Sequence, residues 1–319
     1  MSKYINQVGT KTTKMTLVIP NNKQQIYIRE TLNEDLNTRD RDLEAIKTWL
    51  RQEPHLPDTW DDICLLNFLR GCSFSIEKCK RKLDMYFTMR AAVPEFFTNR
   101  TIMNPGIKDV IEKTNMICLP GLTPDCKRVN IACNALAYES ISFADATKLI
   151  TMIGDARLLL EEHGVSGDVY ILDAELQLLK PFIKNSPILF KKFFICVQEA
   201  YPVKIKEIHI INPNSFATII LNAVRPFLSE KIRNRIHIHH TMDTLYKFVP
   251  KSMLPDEYGG TAGKLRDLKE NWLEKVNEFK EWFKEQEHVV ANESRRIGHP
   301  LNSEDLFGIE GSFRQLTID

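Results

Sequence analysis

The residues of this chain that are most suited to a specific task run from Pro213 to Ile236, where an apolar stripe precedes a cluster of cations. At helical spacing, the apolar side chains fall on one face. They are Phe216, Ile219, Ile220, Ala223, Val224, Phe227 and Leu228. Lys231, Arg233 and Arg235 follow directly. Such a face can cover an apolar cavity, and the cations can meet an anionic surface, which indicates a carrier of apolar ligands.

The stripe also fits a second interpretation, the core face of an ordinary amphipathic helix. Pro226 lies inside the pattern and cannot donate a backbone hydrogen bond, so it predicts a kink, which we interpret as a hinge. A group of bulky side chains precedes the stripe and suits either the core or a cavity wall. This group consists of Phe182, Phe190, Phe193, Phe194 and Val197.

Positive charge is concentrated in one part of the chain. Between Lys180 and Lys251 there are 12 Lys and Arg against 4 Asp and Glu, a net charge of +8 in a chain whose net charge is +1. This asymmetry favours an anionic partner for the region, although solvated lysine side chains on helix surfaces would give the same pattern. No feature indicates a nucleic-acid partner.

No motif in the sequence indicates an enzyme active site or a metal site. The 7 cysteines are odd in number and lack C-x-x-C spacing, which favours buried thiols in a reducing compartment. In a short strand His237 and His239 lie on the same face, and no acidic ligand at a suitable spacing accompanies them. We therefore expect a core or surface role for these histidines and no bound metal. Glycine-rich nucleotide loops and nucleophile elbows are absent from the sequence, and no cofactor is expected.

Periodicity divides the chain into four parts. We expect a flexible tail over residues 1–30 and a small helical domain over residues 31–100. Strands then alternate with helices over residues 101–263, which predicts an α/β sheet with parallel members. Residues 264–319 are predicted to form a C-terminal helix and a docked tail. No signal region or run of ~18 apolar residues occurs, so we expect a cytoplasmic protein that associates with membranes transiently.

Four stretches in order resemble the CRAL-TRIO lipid-binding family. They are Leu66-Asn-Phe-Leu-Arg-Gly-Cys-Ser-Phe74, Val169-Tyr-Ile-Leu-Asp173, Tyr201-Pro-Val-Lys-Ile-Lys-Glu-Ile-His-Ile-Ile-Asn212 with its continuation to Lys231, and Leu254-Pro-Asp-Glu-Tyr-Gly-Gly260. The tail from Asn292 is similar to an insect branch related to the α-tocopherol transfer protein and cellular retinaldehyde-binding protein. The resemblance implies an α/β lipid cage, with a mixed, partly parallel sheet as the floor of a pocket that helices and a gate helix cover, preceded by a small all-α domain.

Patterns and resemblance together predict the residues of this pocket and of a membrane-binding patch. The pocket residues are Ile150, Gly154, Ile171, Phe182, Phe190, Phe193, Phe194, Val197, Val203, Ile210, Phe216, Ile219, Ile220, Ala223, Val224 and Phe227. The phosphoinositide patch consists of Lys204, Lys231, Arg233 and Arg235. Cys72 stands where tocopherol-transfer members carry an arginine of this patch, and Ile150 and Gly154 replace serines, which predicts a more apolar pocket.

The resemblance implies binding and transfer of a hydrophobic small molecule, such as a tocopherol, retinoid or carotenoid, with release at phosphoinositide-containing membranes. A regulatory or scaffold module that senses phospholipid without net transport is the alternative, and an enzyme acting on lipids is a third. A phospholipid headgroup would need buried polar groups, and the apolar character of the predicted pocket favours the carrier.

Overall fold

The N-terminal part consists of helices whose apolar residues recur at helical spacing and pack into a shared core. The computed structural model describes residues 17–134, 141–174 and 187–308. Its first helices are α1 (Asn22–Leu32), α2 (Arg39–Gln52), α3 (Asp62–Gly71), α4 (Ile76–Ala92), α5 (Pro94–Phe97) and α6 (Pro105–Lys113).

The expectation of a flexible tail over residues 1–30 is wrong from residue 22 onward, because α1 occupies this part. The side chain of Asn21 accepts a hydrogen bond from the Gln24 amide, and the Gln24 side chain accepts one from the Asn21 amide. This capping box fixes the start of the helix. Ile28 and Leu32 are buried against Cys126, which anchors α1 to the α/β domain. Residues 1–16 lie outside the described part.

The predicted α/β sheet is confirmed. It has five strands in the order in which they occur along the chain. They are β1 (Thr114–Leu122), β2 (Lys127–Asn134), β3 (Gly167–Asp173), β4 (Ile205–Ile211) and β5 (Ile236–His239). β1 pairs antiparallel with β2, and the three remaining pairs are parallel. Each parallel pair needs a crossover, and helices supply it.

The crossover helices lie between the strands in sequence. They are α7 (Phe143–Leu160), α8 (Pro187–Ile195), α9 (Ser215–Val224) and the short α10 (Glu230–Arg233), whereas the short α11 (Met242–Leu245) follows β5. α8 continues as a π-helix over Cys196–Ala200, where the Tyr201 amide donates to the Cys196 carbonyl at 2.9 Å. α9 ends at Val224 and a 3₁₀ turn over Arg225–Phe227 follows, so Pro226 ends the helix where a kink was expected.

The C-terminal helices span both parts of the molecule. They are α12 (Leu265–Glu278), α13 (Lys280–Gln286) and α14 (Ser303–Phe307). Trp272 of α12 donates to the Cys118 carbonyl of β1 at 2.7 Å, whereas Trp282 of α13 donates to Asp61 at 3.0 Å. Phe307 is buried, with the Lys192 ammonium 5.3 Å from its ring centroid. None of the described helices has the length and apolar character needed to cross a bilayer.

Histidines of β4 and β5 form a polar chain within the core. His209 Nδ1 lies 2.9 Å from His239 Nε2, and His209 Nε2 lies 3.0 Å from a Glu207 oxygen. The acidic side chain thus contacts His209 of β4, and the expectation for His237 and His239 of β5 stays a prediction. Burial lowers the pKa of His239 to about 4, and the neighbouring His209 and His237 act in the same direction. His239 is consequently neutral at pH 7.

The buried carboxylate of Asp155 joins the helical domain to the α/β domain. It accepts hydrogen bonds from Tyr86 and Tyr201 at 3.1 and 2.8 Å and pairs with Arg90 and Arg100 at 3.2 and 2.6 Å. Asp155 has no exposed surface. Its partners come from α4, the segment after α5 and the turn before β4.

We expect Asp155→Asn to lower the free energy of unfolding by about 3–5 kcal/mol, because two buried guanidinium groups would lose their counterion. Chemical denaturation of the full chain measures this change. Glu162→Gln is the matched control: Glu162 is exposed near the end of the same helix, and its change should stay within about 0.5 kcal/mol. Equal stability of the two variants would contradict the anchoring role of Asp155.

Candidate functional site

A cavity of about 270 Å³ lies between the first three strands of the sheet and α7. The end of α3, the π-helix after α8 and the turn into β4 close its remaining sides. Gly71 allows the close approach of α3, because a Cβ at this position would collide with the Pro202 backbone. The helical domain therefore contributes directly to the wall.

Five of the predicted pocket residues line this cavity. Ile150 and Gly154 come from α7, Phe193 from α8, Val197 from the π-helix and Val203 from the turn before β4. A Cβ at Gly154 would make an ordinary van der Waals contact of 3.5 Å with the Tyr201 ring. The apolar part of the wall thus contains the two positions that were expected to replace serines.

Other predicted residues pack elsewhere in the described part. Ile171 is buried on the face of β3 opposite to Tyr170 and Leu172, which line the cavity, because side chains alternate along a strand. Phe190 stacks on Phe143 with ring centroids 4.4 Å apart. The remaining residues, Phe194, Ile210, Ala223, Val224 and Phe227, are not among the lining residues of the described cavity.

The predicted gate segment corresponds to α9 and the turn that follows it. Ile219 is 57 % exposed, whereas Val224 is 8 % exposed, so the apolar stripe does not form one uniformly buried face. Phe182 lies outside the described residues, as do the side chains of Phe216 and Ile220. The gate role of this segment therefore stays a prediction.

Polar side chains at one end make the cavity less apolar than the sequence indicated. Arg157 of α7 pairs with Asp168 of β3 at 2.8 Å, and both line the cavity. Glu161 pairs with Arg128 of β2 at 2.8 Å. Burial acts to raise the pKa of Glu161, but Arg128 and Arg157 hold this pKa below its usual value. This end of the cavity thus contains charges that are paired with each other.

Sequence reasoning missed these residues together with Tyr170, Asn130, Asn67 and Arg70, and all of them except Arg128 line the cavity. Arg70 pairs with Glu34 through two contacts of 2.9 Å, which brings the segment after α1 to the cavity wall. The sequence does contain one signal, the alternation of side chains along β3. If Leu172 faces the cavity, Tyr170 and Asp168 must face it as well.

The basic cluster lies beside the polar end of the cavity. It consists of Lys204, Lys206, Lys231 and Arg235, and Lys206 was missed from the sequence. Burial lowers the pKa of Lys204 to about 8, and the charges of Lys206 and Lys231 add to this effect. Burial also lowers the pKa of Lys206, aided first by Arg235. Arg233 is half-buried at the end of α10.

Cys72 lies among the same cations. A hydrogen bond from Cys79 lowers the pKa of the Cys72 thiol, burial opposes this, and Lys82 and Lys204 strengthen the lowering. The Lys204 ammonium contacts the hydroxyl of Ser73, the residue after Cys72. Cys72 is itself buried, so the position that lacks the expected arginine lies near these cations without belonging to the exposed surface.

Two family models match the chain. One, described as Pinta-like, UBA domain, matches residues 35–107, and the other, described as CRAL/TRIO domain, matches residues 112–260. The second range contains all five strands of the sheet and most of the residues that line the cavity.

Several relatives align over most of the chain. The α-tocopherol transfer protein-like protein of Homo sapiens is 32% identical over 240 residues, which cover 74% of this chain and 70% of that protein. Its counterpart in Mus musculus is 30% identical over 281 residues, or 87% of this chain and 81% of that protein. Clavesin-2 of Rattus norvegicus is 26% identical over 235 residues, covering 73% and 72%.

Among solved structures, that of Sfh5 matches with a TM-score of 0.45 and 11% identity over 84% of this chain and all of that one, a likeness too distant to inform the site. The insect branch suggested by the tail stays a prediction. The alignments with the human and mouse relatives, together with the domain match over the sheet and cavity, establish that this chain belongs to the CRAL/TRIO family.

Proposed function

We propose that this protein binds one hydrophobic small molecule in the cavity and releases it at phosphoinositide-containing membranes. A tocopherol, retinoid, carotenoid or similar isoprenoid fits the apolar part of the wall. The observation that supports the proposal most is the position of Lys204, which lines the cavity and belongs to the basic cluster. Ligand and membrane would thus meet the protein at adjoining places, as expected of a transiently membrane-associated cytoplasmic carrier.

Burial of apolar ligand surface would supply the affinity. Removing ~400 Å² of an isoprenoid from water at ~25 cal/mol per Å² gives about 10 kcal/mol before the costs of binding are subtracted. Immobilising the ligand and desolvating its polar atoms reduce this value substantially. A carrier needs an intermediate affinity, because it must also release the ligand.

The basic cluster would supply the membrane contact. Each cation near an anionic leaflet contributes roughly 1 kcal/mol, so four are enough for reversible docking. α10 carries Lys231 and follows α9 after one short turn. Docking of α10 on a membrane would therefore act on α9, the predicted gate, and promote release.

A phospholipid-sensing regulatory or scaffold module without net transport is the second candidate. The charged end of the cavity favours it, because a headgroup needs buried polar partners. The charges of Arg157, Asp168 and Glu161 are paired within the protein, however, and this supports the carrier. Transfer of ligand between donor and acceptor vesicles distinguishes the two, since only the carrier accelerates it.

We expect Ile150→Trp to reduce binding of a fluorescent isoprenoid such as retinol by tenfold or more, because the indole ring would occupy the cavity. Fluorescence titration of the full chain measures the dissociation constant. Ile297→Trp is the matched control, since Ile297 is 76 % exposed. Unchanged binding by a folded Ile150→Trp variant would place the ligand outside this cavity.

We expect vesicle affinity to depend on pH through Lys204. With a pKa of about 8, Lys204 is charged at pH 7 and largely neutral at pH 9. Losing one cation should weaken binding to phosphoinositide vesicles about two- to fivefold over this range. Lys204→Arg keeps its charge and should flatten the profile. If vesicle affinity depends on pH in the same way in the unmodified protein and in Lys204→Arg, Lys204 does not take part in the membrane contact.

We expect the double variant Lys231→Glu and Arg235→Glu to lower vesicle affinity at least tenfold and to slow ligand release in proportion, because repulsion replaces attraction. A vesicle-transfer assay measures the release rate. Lys280→Glu with Lys284→Glu is the control, an equal charge change on exposed residues of α13. Release that persists at its full rate without vesicle binding would disprove the coupling.

A further inference from the structure

Exposed apolar side chains are concentrated at α1 and the residues beside it. Of the twelve large apolar side chains that are exposed in the described part of the chain, five fall between residues 18 and 36. They are Val18, Ile19, Ile26, Tyr27 and Leu36. Single exposed apolar residues are common on protein surfaces, but their concentration on one short segment is typical of a contact surface.

Helix α1 has apolar residues on two opposite faces, and the protein covers only one of them. Ile28 and Leu32 are buried on the inner face. Ile26 and Tyr27 lie on the outer side of the helix, where they are 49 % and 44 % exposed. Lys23 precedes them by one turn and is exposed as well. Together with the two apolar residues before the helix, this outer face forms the α1 patch, which consists of Val18, Ile19, Lys23, Ile26 and Tyr27.

The α1 patch lies at the edge of the sheet that carries the basic cluster. Strands β2 to β5 are parallel, so their first residues share one edge. Helix α1 packs on Cys126, directly before β2, whereas Lys206 and Arg235 lie at the starts of β4 and β5. The Cys126 carbonyl accepts a hydrogen bond from the Ser166 amide at 2.9 Å. A Cβ at the adjoining Gly167 would collide with the Lys206 side chain. Only the start of β3 therefore separates α1 from the cluster.

The combination of apolar side chains and cations fits the interface of an anionic bilayer. An amphipathic helix can lie in this interface with apolar side chains among the acyl chains, while cations contact the lipid head groups. Tyr27 suits such a depth, because a tyrosine ring is apolar and its hydroxyl is polar. The sequence before the helix carries the same charge, since residues 1–16 contain three lysines and no acidic residue. The exposed carboxylate of Glu30 marks the end of the patch.

A protein partner would find little area on this single convex helix. Stable protein–protein interfaces bury ~800 Å² on each partner, which is more than a few half-exposed side chains provide. A bilayer sets no such limit, because each side chain that leaves water contributes separately. The shape and charge of the patch therefore favour a lipid surface.

We propose that the α1 patch inserts into the interfacial layer of an anionic membrane while the basic cluster contacts the lipid head groups. The protein then has two membrane contacts of different physical kind, an apolar one at α1 and an electrostatic one at the starts of β4 and β5. Two contacts at separate points also fix how the cavity is oriented relative to the bilayer. This inference rests on the proposed membrane association and adds the segment that enters the bilayer.

Salt separates the two contacts. Cosedimentation measures the affinity of the full chain for vesicles of phosphatidylcholine, phosphatidylserine and phosphatidylinositol bisphosphate at ~0.1 and ~1 M salt, between which the screening length falls from ~10 to ~3 Å. We expect Ile26→Ser with Tyr27→Ser to lower this affinity about tenfold at both salt concentrations, because apolar insertion is not screened. Lys231→Glu with Arg235→Glu should lower it mainly at the lower concentration.

Met103→Ser with Ile297→Ser is the matched control, because these apolar side chains are 64 % and 76 % exposed. Met103 precedes α6 and β1, and the first residue of β1 pairs with the last residue of β2, at the opposite edge of the sheet. Ile297 follows Arg296, which pairs with Asp84 of the helical domain. Vesicle affinity of this control should be unchanged at both salt concentrations.

A fluorescent label reports insertion directly. The seven cysteines of the chain are all buried, so a cysteine introduced at an exposed position reacts selectively. An environment-sensitive dye on Ile26→Cys should emit at shorter wavelength when vesicles are added, because it moves from water into the bilayer interface. The same dye on Ile297→Cys should keep its emission.

The outcomes separate the inference from the function on which it rests. If the full chain binds no vesicles at either salt concentration, the membrane association fails and the inference with it. If it binds them but the dye on Ile26→Cys keeps its emission, or the folded Ile26→Ser, Tyr27→Ser variant keeps its affinity, the inference alone is overturned. The same holds if the dye already emits at shorter wavelength without vesicles and loses this emission once residues 1–16 are removed, because the chain itself then covers the patch.

Discussion

The ion pairs around Asp155 are the constraint on which the arrangement of the molecule depends. A carboxylate without exposed surface is held by two arginines and two tyrosines that come from separate segments. Burying such a charge is costly unless all partners are in place, so the helical domain, α7 and the turn before β4 have to assemble together. α7 and the turn before β4 also contribute to the cavity wall, so the shape of this wall depends in part on the contact.

Sequence patterns predicted the strands well, since each consists of a short apolar run bounded by polar or turn residues. They did not show which side of the sheet the cavity occupies. Ile171 and Tyr170 are neighbours on one strand, and only the packing of α7 against the sheet decides that Tyr170 lines the cavity. The distant pairs Arg70–Glu34 and Arg128–Glu161 were equally inaccessible, because their partners are 36 and 33 residues apart in sequence.

Electrostatics distinguishes the cavity from the basic cluster even though they touch. Inside the cavity, opposite charges lie in pairs, as in Arg157 with Asp168. Lys204, which lines the cavity, lies with Lys206, Lys231 and Arg235 in a cluster of like charges, and this cluster lowers the affinity of Lys204 and Lys206 for protons. A bound anion would reduce this repulsion. The cluster is therefore better suited to an anionic partner than a set of paired charges is.

The π-helix at Cys196–Ala200 affects how the cavity wall can change in evolution. A π-turn contains one residue more than an α-turn, which rotates the preceding helix by about 100° relative to the residues that follow it. Val197 faces the cavity and Tyr201 reaches Asp155 only with this offset. Deletion of a single residue here would turn a different side of α8 toward the cavity while its composition stayed almost the same. The lining of the cavity would thus change through backbone phase alone.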